Sequence, residues 1–224
     1  MKIISLKHLK YHQGFTIIEL LITLLVVSVV VSIGLPTFQG TVQNARLTSQ
    51  INHMIGVIAF ARNEAAKRPN TNITLCATNN PNAASPACNT TNWEGGYLVF
   101  TDGDGDGTLD SISEDINGNS VLDLGEDLNG NGSIDTVADQ ILQIGRVLEG
   151  GNTLRTRGFA NAGLITFNAR GEPNSSGSFM FCDDRGINNA KGIVMSVIGH
   201  VRLAVDQNAD DIVDVDNGAN IVCP

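Results

Sequence analysis

The 224-residue chain carries 14 Lys and Arg against 23 Asp and Glu, a formal net charge of −9. That length fits one domain with a core and an appendage, not two full domains. So acidic a chain argues against nucleic acid as its default partner, since phosphate binding rests on Lys and Arg, and it favours cations instead.

Residues 1–14 are short and cationic, with Lys2, Lys7 and Lys10, and end on Gly14. From Phe15 to Leu35 runs FTIIELLITLLVVSVVVSIGL, whose only charge is Glu19. About 20 apolar residues suffice to cross a bilayer as a helix. Lysines before the run and no charge after it until Arg46 place the N-terminal side in the cytoplasm and the rest in the periplasm. A secretory signal would be cut after the run at small residues, but this run leads into Pro36 and Phe38. A plain anchor leaves Glu19 unexplained: an ionised carboxylate there costs about 2.5–3.5 kcal/mol on insertion scales and calls for a partner.

Gly14-Phe15-Thr16-Ile17-Ile18-Glu19 resembles the prepilin cleavage motif of type IV pilins and type II secretion pseudopilins. The resemblance implies cleavage by prepilin peptidase between Gly14 and Phe15 and N-methylation of Phe15. It also implies that Glu19 pairs with the N-terminal amine of a neighbouring subunit, so that two charges costly in lipid offset one another. Pro36 matches the weak point common in the long helix of that family.

Beyond Pro36, Phe38, Val42, Ala45, Leu47, Ile51, Met54, Ile58 and Ala65 recur at three- and four-residue steps, which predicts an amphipathic helix ending near Arg68, just before Pro69. Runs rich in β-branched and aromatic residues predict strands at 72–77, 96–101, 139–148, 163–168, 178–183, 192–198 and 201–205, the last entered by a turn at Gly199-His200. The expected fold is α+β, a long N-terminal helix packed on an antiparallel β-sheet head. Its parts are a leader at 1–14, a transmembrane segment at 15–36, an amphipathic helix at 37–68 and a β-rich head at 69–224. Trp93, the single tryptophan, reads as core packing.

Four cysteines fit an oxidising compartment, and none is spaced as a zinc-binding CxxC pair. Three pairings are open. The favoured one is Cys76–Cys88, closing a short polar loop, with Cys182–Cys223 tying down the last residues. The order NEAAKR (63–68), ITLCA (73–77), Cys88, WEGGYLVF (93–100) and Gly199-His200-Val201-Arg202 resembles the GspH/FimT family of minor pilins and minor pseudopilins. It implies assembly with other pilin or pseudopilin subunits, in a type IV pilus or a type II secretion pseudopilus.

An acidic insertion, 102–139, reads three times against the twelve-residue calcium loop, in which alternate Asp and Asn side chains deliver hard oxygens to one point. Loop one offers Asp102, Asp104, Asp106 and Asp110, with Leu109 at the apolar eighth position. Loop two offers Asp115, Asn117, Asn119, Asp123 and the twelfth-position Glu126. Loop three offers Asp127, Asn129, Asn131 and Asp135. Loops one and three end in Ser113 and Ala138, and are expected to borrow a carboxylate from Glu114 or Asp139. Two or three Ca2+ ions are expected, with the insertion disordered without them. A partial fourth copy, Asp206, Asn208, Asp210 and Asp214, has Asn217 where the closing acid would stand.

No HExxH, GxSxG or phosphate loop is present, and the only histidines after Gly14 are His53 and His200, so an enzyme is not expected. DNA binding is the alternative: some FimT-type proteins hold DNA with a G-R-x-R motif. Here His200 replaces the first arginine and Arg202 keeps the second, with Arg155, Arg157, Arg170, Arg185 and Lys191 as companions.

Overall fold

The computed structural model describes residues 14–110, 123, 139–215 and 218–224, apart from the side chains of 33–37. The chain divides into two compact units, Met1–Asn44 and Ala45–Pro224. Helix α1, Ile17–Lys67, contributes to both. The leader lysines, Gly125–Glu126 and the other acidic residues of loops two and three, apart from Asp123, lie outside the described residues.

In the first unit α1 is helical through a stretch dense in Val and Ile, whose branched side chains weaken helices in water. The helix satisfies its own polar groups: the hydroxyls of Thr23, Ser28 and Ser32 donate to the carbonyls of Leu20, Leu25 and Val29 at 2.9, 2.8 and 2.8 Å. Self-satisfaction of this kind is what an apolar medium demands. Among the described residues no helix is long and apolar enough to cross a membrane.

In the second unit, Leu47, Ile51, Met54, Ile58, Ala61 and Ala65 are buried at helical spacing. They form one core with two antiparallel sheets. The first, in order β3-β2-β1-β5, comprises β1 (Asn72–Ala77), β2 (Tyr97–Asp102), β3 (Ile141–Ile144) and β5 (Leu164–Phe167). The second, in order β4-β6-β7-β8, comprises β4 (Thr153–Arg157), β6 (Gly177–Cys182), β7 (Lys191–Met195) and β8 (Val201–Leu203). A two-stranded hairpin, β9 (Asp214–Val215) with β10 (Ala219–Asn220), follows. Among the described residues the head is thus two four-stranded sheets and a hairpin, with the helix stripe, Leu75, Val99 and Phe167 of the first sheet and Phe179, Phe181 and Ile193 of the second in one cluster. Trp93 is buried there, edge-on to Phe179 at 5.1 Å between ring centres, and its indole N–H donates to the carbonyl of Ala162 at 2.8 Å.

The opposite face of the first sheet carries a small cluster of Cys76, Leu98 and Phe100, joined by the Cys76–Cys88 disulfide. On the second sheet Met180, Cys182, Ala190, Val215 and Ile221 cluster beside the Cys182–Cys223 disulfide. Both bonds are the favoured pairing. Between β7 and β8 the turn closes through the Gly199 N–H on the Ser196 carbonyl, with Gly199 at φ +74°, where a side chain would be strained.

Candidate functional site

Two regions carry the sequence-predicted site residues. The first is the start of α1. Thr16 precedes the helix, its Oγ1 accepts from the Glu19 N–H at 3.2 Å, and its carbonyl accepts from the Leu20 N–H at 3.2 Å. Thr16-Ile17-Ile18-Glu19 has the spacing of a capping box, which puts Glu19 in the first turn, where the helix dipole favours a negative charge. Helix capping is a second role for these residues that the sequence reading missed, although the T-x-x-E spacing announces it. Phe15 and Ile17 are more than four-fifths exposed, and the large side chains from Ile18 to Val31 are exposed with them.

The second region is the acidic loop after β2. Asp102, Asp104 and Asp106 bring one carboxylate oxygen each within 4.8 Å of one another, and this triad has the makings of a metal site. The loop is wound by its own side chains: Asp102 Oδ1 accepts from the Gly105 N–H at 2.8 Å, Asp104 Oδ1 from Asp106 at 3.2 Å, and Asp106 Oδ1 from Thr108 at 2.6 Å. Asp102 is fully buried at the end of β2, its Oδ2 accepting from the Thr74 hydroxyl at 2.5 Å. Burial raises its pKa, and Asp104 and Asp106 add repulsion. Leu109 packs on the Cys76–Leu98–Phe100 cluster, the anchoring expected of the eighth position.

Asp139 closes this loop. Its Oδ1 accepts from the Gly103 N–H and its Oδ2 from the Asp110 N–H, both at 3.2 Å, while its own N–H donates to the Asp110 carbonyl at 2.8 Å. Burial, with repulsion from Asp102 and Asp110, pushes its carboxyl up to about 7. The sequence alignment lends Asp139 to loop three; the structure brings it against loop one. The signal was in the topology: β2 and β3 are antiparallel neighbours on either side of the insertion, so residues just before β3 must lie beside those just after β2.

The basic residues offered for DNA are dispersed among local partners. Arg155 pairs with Glu94, Arg170 with Glu172 at 2.9 Å, and Arg185 with Asp183 at 2.6 Å. Lys191 donates to the Thr48 hydroxyl at 2.9 Å, Arg157 to the Asn220 carbonyl at 3.4 Å, and the exposed Arg202 to the Leu203 carbonyl at 3.5 Å.

Residues 50–199, more than half of the chain, match the family described as Type II transport protein GspH. Residues 9–35 match the prokaryotic N-terminal methylation motif. No curated protein matches the chain significantly. Among solved structures the chain is similar to the type IV minor pilin FimU of Pseudomonas aeruginosa strain PAO1 in two crystal forms. The first is 17% identical, covers 72% of this chain and 90% of that one, and gives a TM-score of 0.45. The second is 18% identical, covers 70% and 91%, and gives 0.41.

Proposed function

The chain belongs to the GspH family of minor pseudopilins, components of type II secretion and type IV pilus machinery, and from that premise we propose how its own residues serve assembly. The family is structural, assembles with other pilins and is processed by prepilin peptidase. In this reading the span 15–36 holds the subunit in the inner membrane. Cleavage falls between Gly14 and Phe15, Phe15 is methylated, and Glu19 receives the new amine of a neighbouring subunit. The observation that carries it is the exposed, predominantly apolar surface from Phe15 to Val31, in which Glu19 is the one charged residue. Apolar surface of that extent requires lipid or protein to cover it, and a carboxylate within it requires a cationic partner.

The test is to express Gly14→Val and Glu19→Ala variants in a strain lacking the native copy. Gly14→Val keeps its leader and an unmethylated Phe15, read by mass. Glu19→Ala is processed normally but falls at least ten-fold in the sheared filament fraction while remaining in the membrane. Normal incorporation of Glu19→Ala would overturn the pairing.

The acidic insertion adds a calcium site to this head. Asp102, Asp104 and Asp106 supply the ligands of loop one, with Asp110 and Asp139 closing it. Loops two and three, through Asp115 to Glu126 and Asp127 to Asp135, take the further ions. Support comes from the clustering of the Asp102, Asp104 and Asp106 carboxylates within 4.8 Å of one another, like charges that a hard divalent ion relieves.

A further inference from the structure

Beyond the insertion, the loop between β8 and β9 is built as a second and separate cation site. It follows the same alternation, Asp206, Asn208, Asp210, the Ile212 carbonyl and Asp214 standing at positions 1, 3, 5, 7 and 9 of a calcium loop. Asp206 winds the loop, taking the N–H groups of Asn208 and Ala209 on Oδ1 at 3.1 and 2.7 Å and that of Asp211 on Oδ2 at 2.9 Å. Alternation and winding alone describe many polar loops, and they carry nothing by themselves.

The distinguishing feature is Asp214. It is 1% exposed, on the first residue of β9, and its backbone is fixed by the bridge to Val205 through its N–H on the Val205 carbonyl at 3.1 Å. Its Oδ2 accepts from the Gln207 N–H at 2.7 Å, so the carboxylate points into the loop. Its Oδ1 is buried and has no hydrogen-bond partner among the described residues. A buried carboxylate oxygen left without a hydrogen-bond donor is unfavourable, because it has given up water and gained nothing in return. A cation inside the loop is the partner that removes this cost.

The neighbouring donors point the same way. Asp210 Oδ2 draws in the side-chain amides of both Asn208 and Asn220, at 3.1 and 2.7 Å. Two amide N–H groups converge on one carboxylate oxygen, where a cation would serve better. A rotation of the Asn208 side-chain amide exchanges its N–H group for its oxygen, the third-position ligand. Because Asn220 lies in β10, an ion held here also ties the terminal hairpin and the Cys182–Cys223 bond to the end of β8.

We propose that residues Asp206, Asn208, Asp210 and Asp214, with the Ile212 carbonyl, bind one calcium ion that clamps the C-terminal hairpin onto the second sheet. Its affinity belongs in the range of extracellular modules, roughly 10⁻⁴–10⁻³ M.

The experiment is a calorimetric titration of calcium chloride into the full chain in detergent micelles, for wild type, Asp210→Ala, Asp214→Asn and the loop-one variant Asp104→Asn/Asp106→Asn. Asp210 is exposed, so Asp210→Ala is expected to fold. It and Asp214→Asn each lose one equivalent of bound calcium, or bind that equivalent at least ten-fold more weakly, on top of whatever the loop-one variant removes. Wild-type stoichiometry and affinity in Asp210→Ala overturns the proposal, whether or not Asp214→Asn folds. Loss confined to the loop-one variant overturns it equally.

Discussion

Tyr97 sits where the helix meets the first sheet. Its hydroxyl lies 2.8 Å from Nε2 of His53 and accepts from the Gln143 side-chain amide at 3.1 Å. Burial pushes its pKa up to about 12, against the smaller opposing effect of the Gln143 donor, which favours the phenolate. Since an unfolded tyrosine ionises near 10, the folded state holds this proton longer. The stability it contributes is fully present below about pH 10 and is lost as pH rises through about 12. Of the two tyrosines the other is Tyr11, in the leader, so a chain cut after Gly14 reports Tyr97 alone. Spectroscopic titration of the phenolate band in the processed chain should give a midpoint near 12, and Gln143→Leu should move it higher still. A midpoint near 10 would mean that the hydroxyl is wet.

At the scale of elements, the acidic loop after β2 shows how the fold gathers charge that the sequence spreads out. Asp139 stands against Asp102 and Asp110 across the mouth of the insertion, and the cost of that proximity is borne by the ion-free state. Asp139→Asn removes that repulsion in chelator at the loss of one of the two N–H hydrogen bonds the carboxylate accepts. It should also shrink the gain on adding calcium, because one closing carboxylate is gone. For wild type, calcium at 100 times its Kd should add about 2.7 kcal/mol and protect the head from protease. Equal calcium gains in wild type and Asp139→Asn would remove Asp139 from the site. Much of this region was legible beforehand: the triad, the Leu109 anchor and the strands on either side all follow from residue patterning. The partner of the loop was not, because loop ends are matched by strand pairing and not by spacing along the chain. β4 escaped for a related reason. In Thr153–Arg157 only Leu154 is fully buried, so no alternation marks the strand, and pairing with β6 creates it. The predicted strand at 139–148 likewise shortens to Ile141–Ile144; just beyond it the Gly145 N–H donates to the Tyr97 carbonyl at 2.8 Å, and a Cβ there would lie 2.0 Å from the Tyr97 ring.

For the molecule as a whole, the labour is proposed to divide between an acidic head and an apolar N-terminal run, whose exposed surface lipid or neighbouring subunits would cover. The proposed anchor differs from an ordinary span in holding one carboxylate at a set place. Glu19 occupies the first turn, its backbone N–H held by Thr16, where the helix dipole favours it and where a neighbour's amine is proposed to meet it. Leu25, in the middle of the described apolar run and exposed, has neither advantage. A lysine there should cost about 2.5–3.5 kcal/mol of insertion, a fall of roughly two orders of magnitude in the ratio of inserted to uninserted chain. Glycosylation-tag or protease-protection mapping of Leu25→Lys in inner membranes should show that loss, while Glu19→Ala inserts at least as well as wild type and fails only at assembly. If Leu25→Lys inserts normally, the run does not span the bilayer. If Glu19→Ala also loses insertion, the carboxylate serves the membrane step, and its proposed pairing between subunits falls.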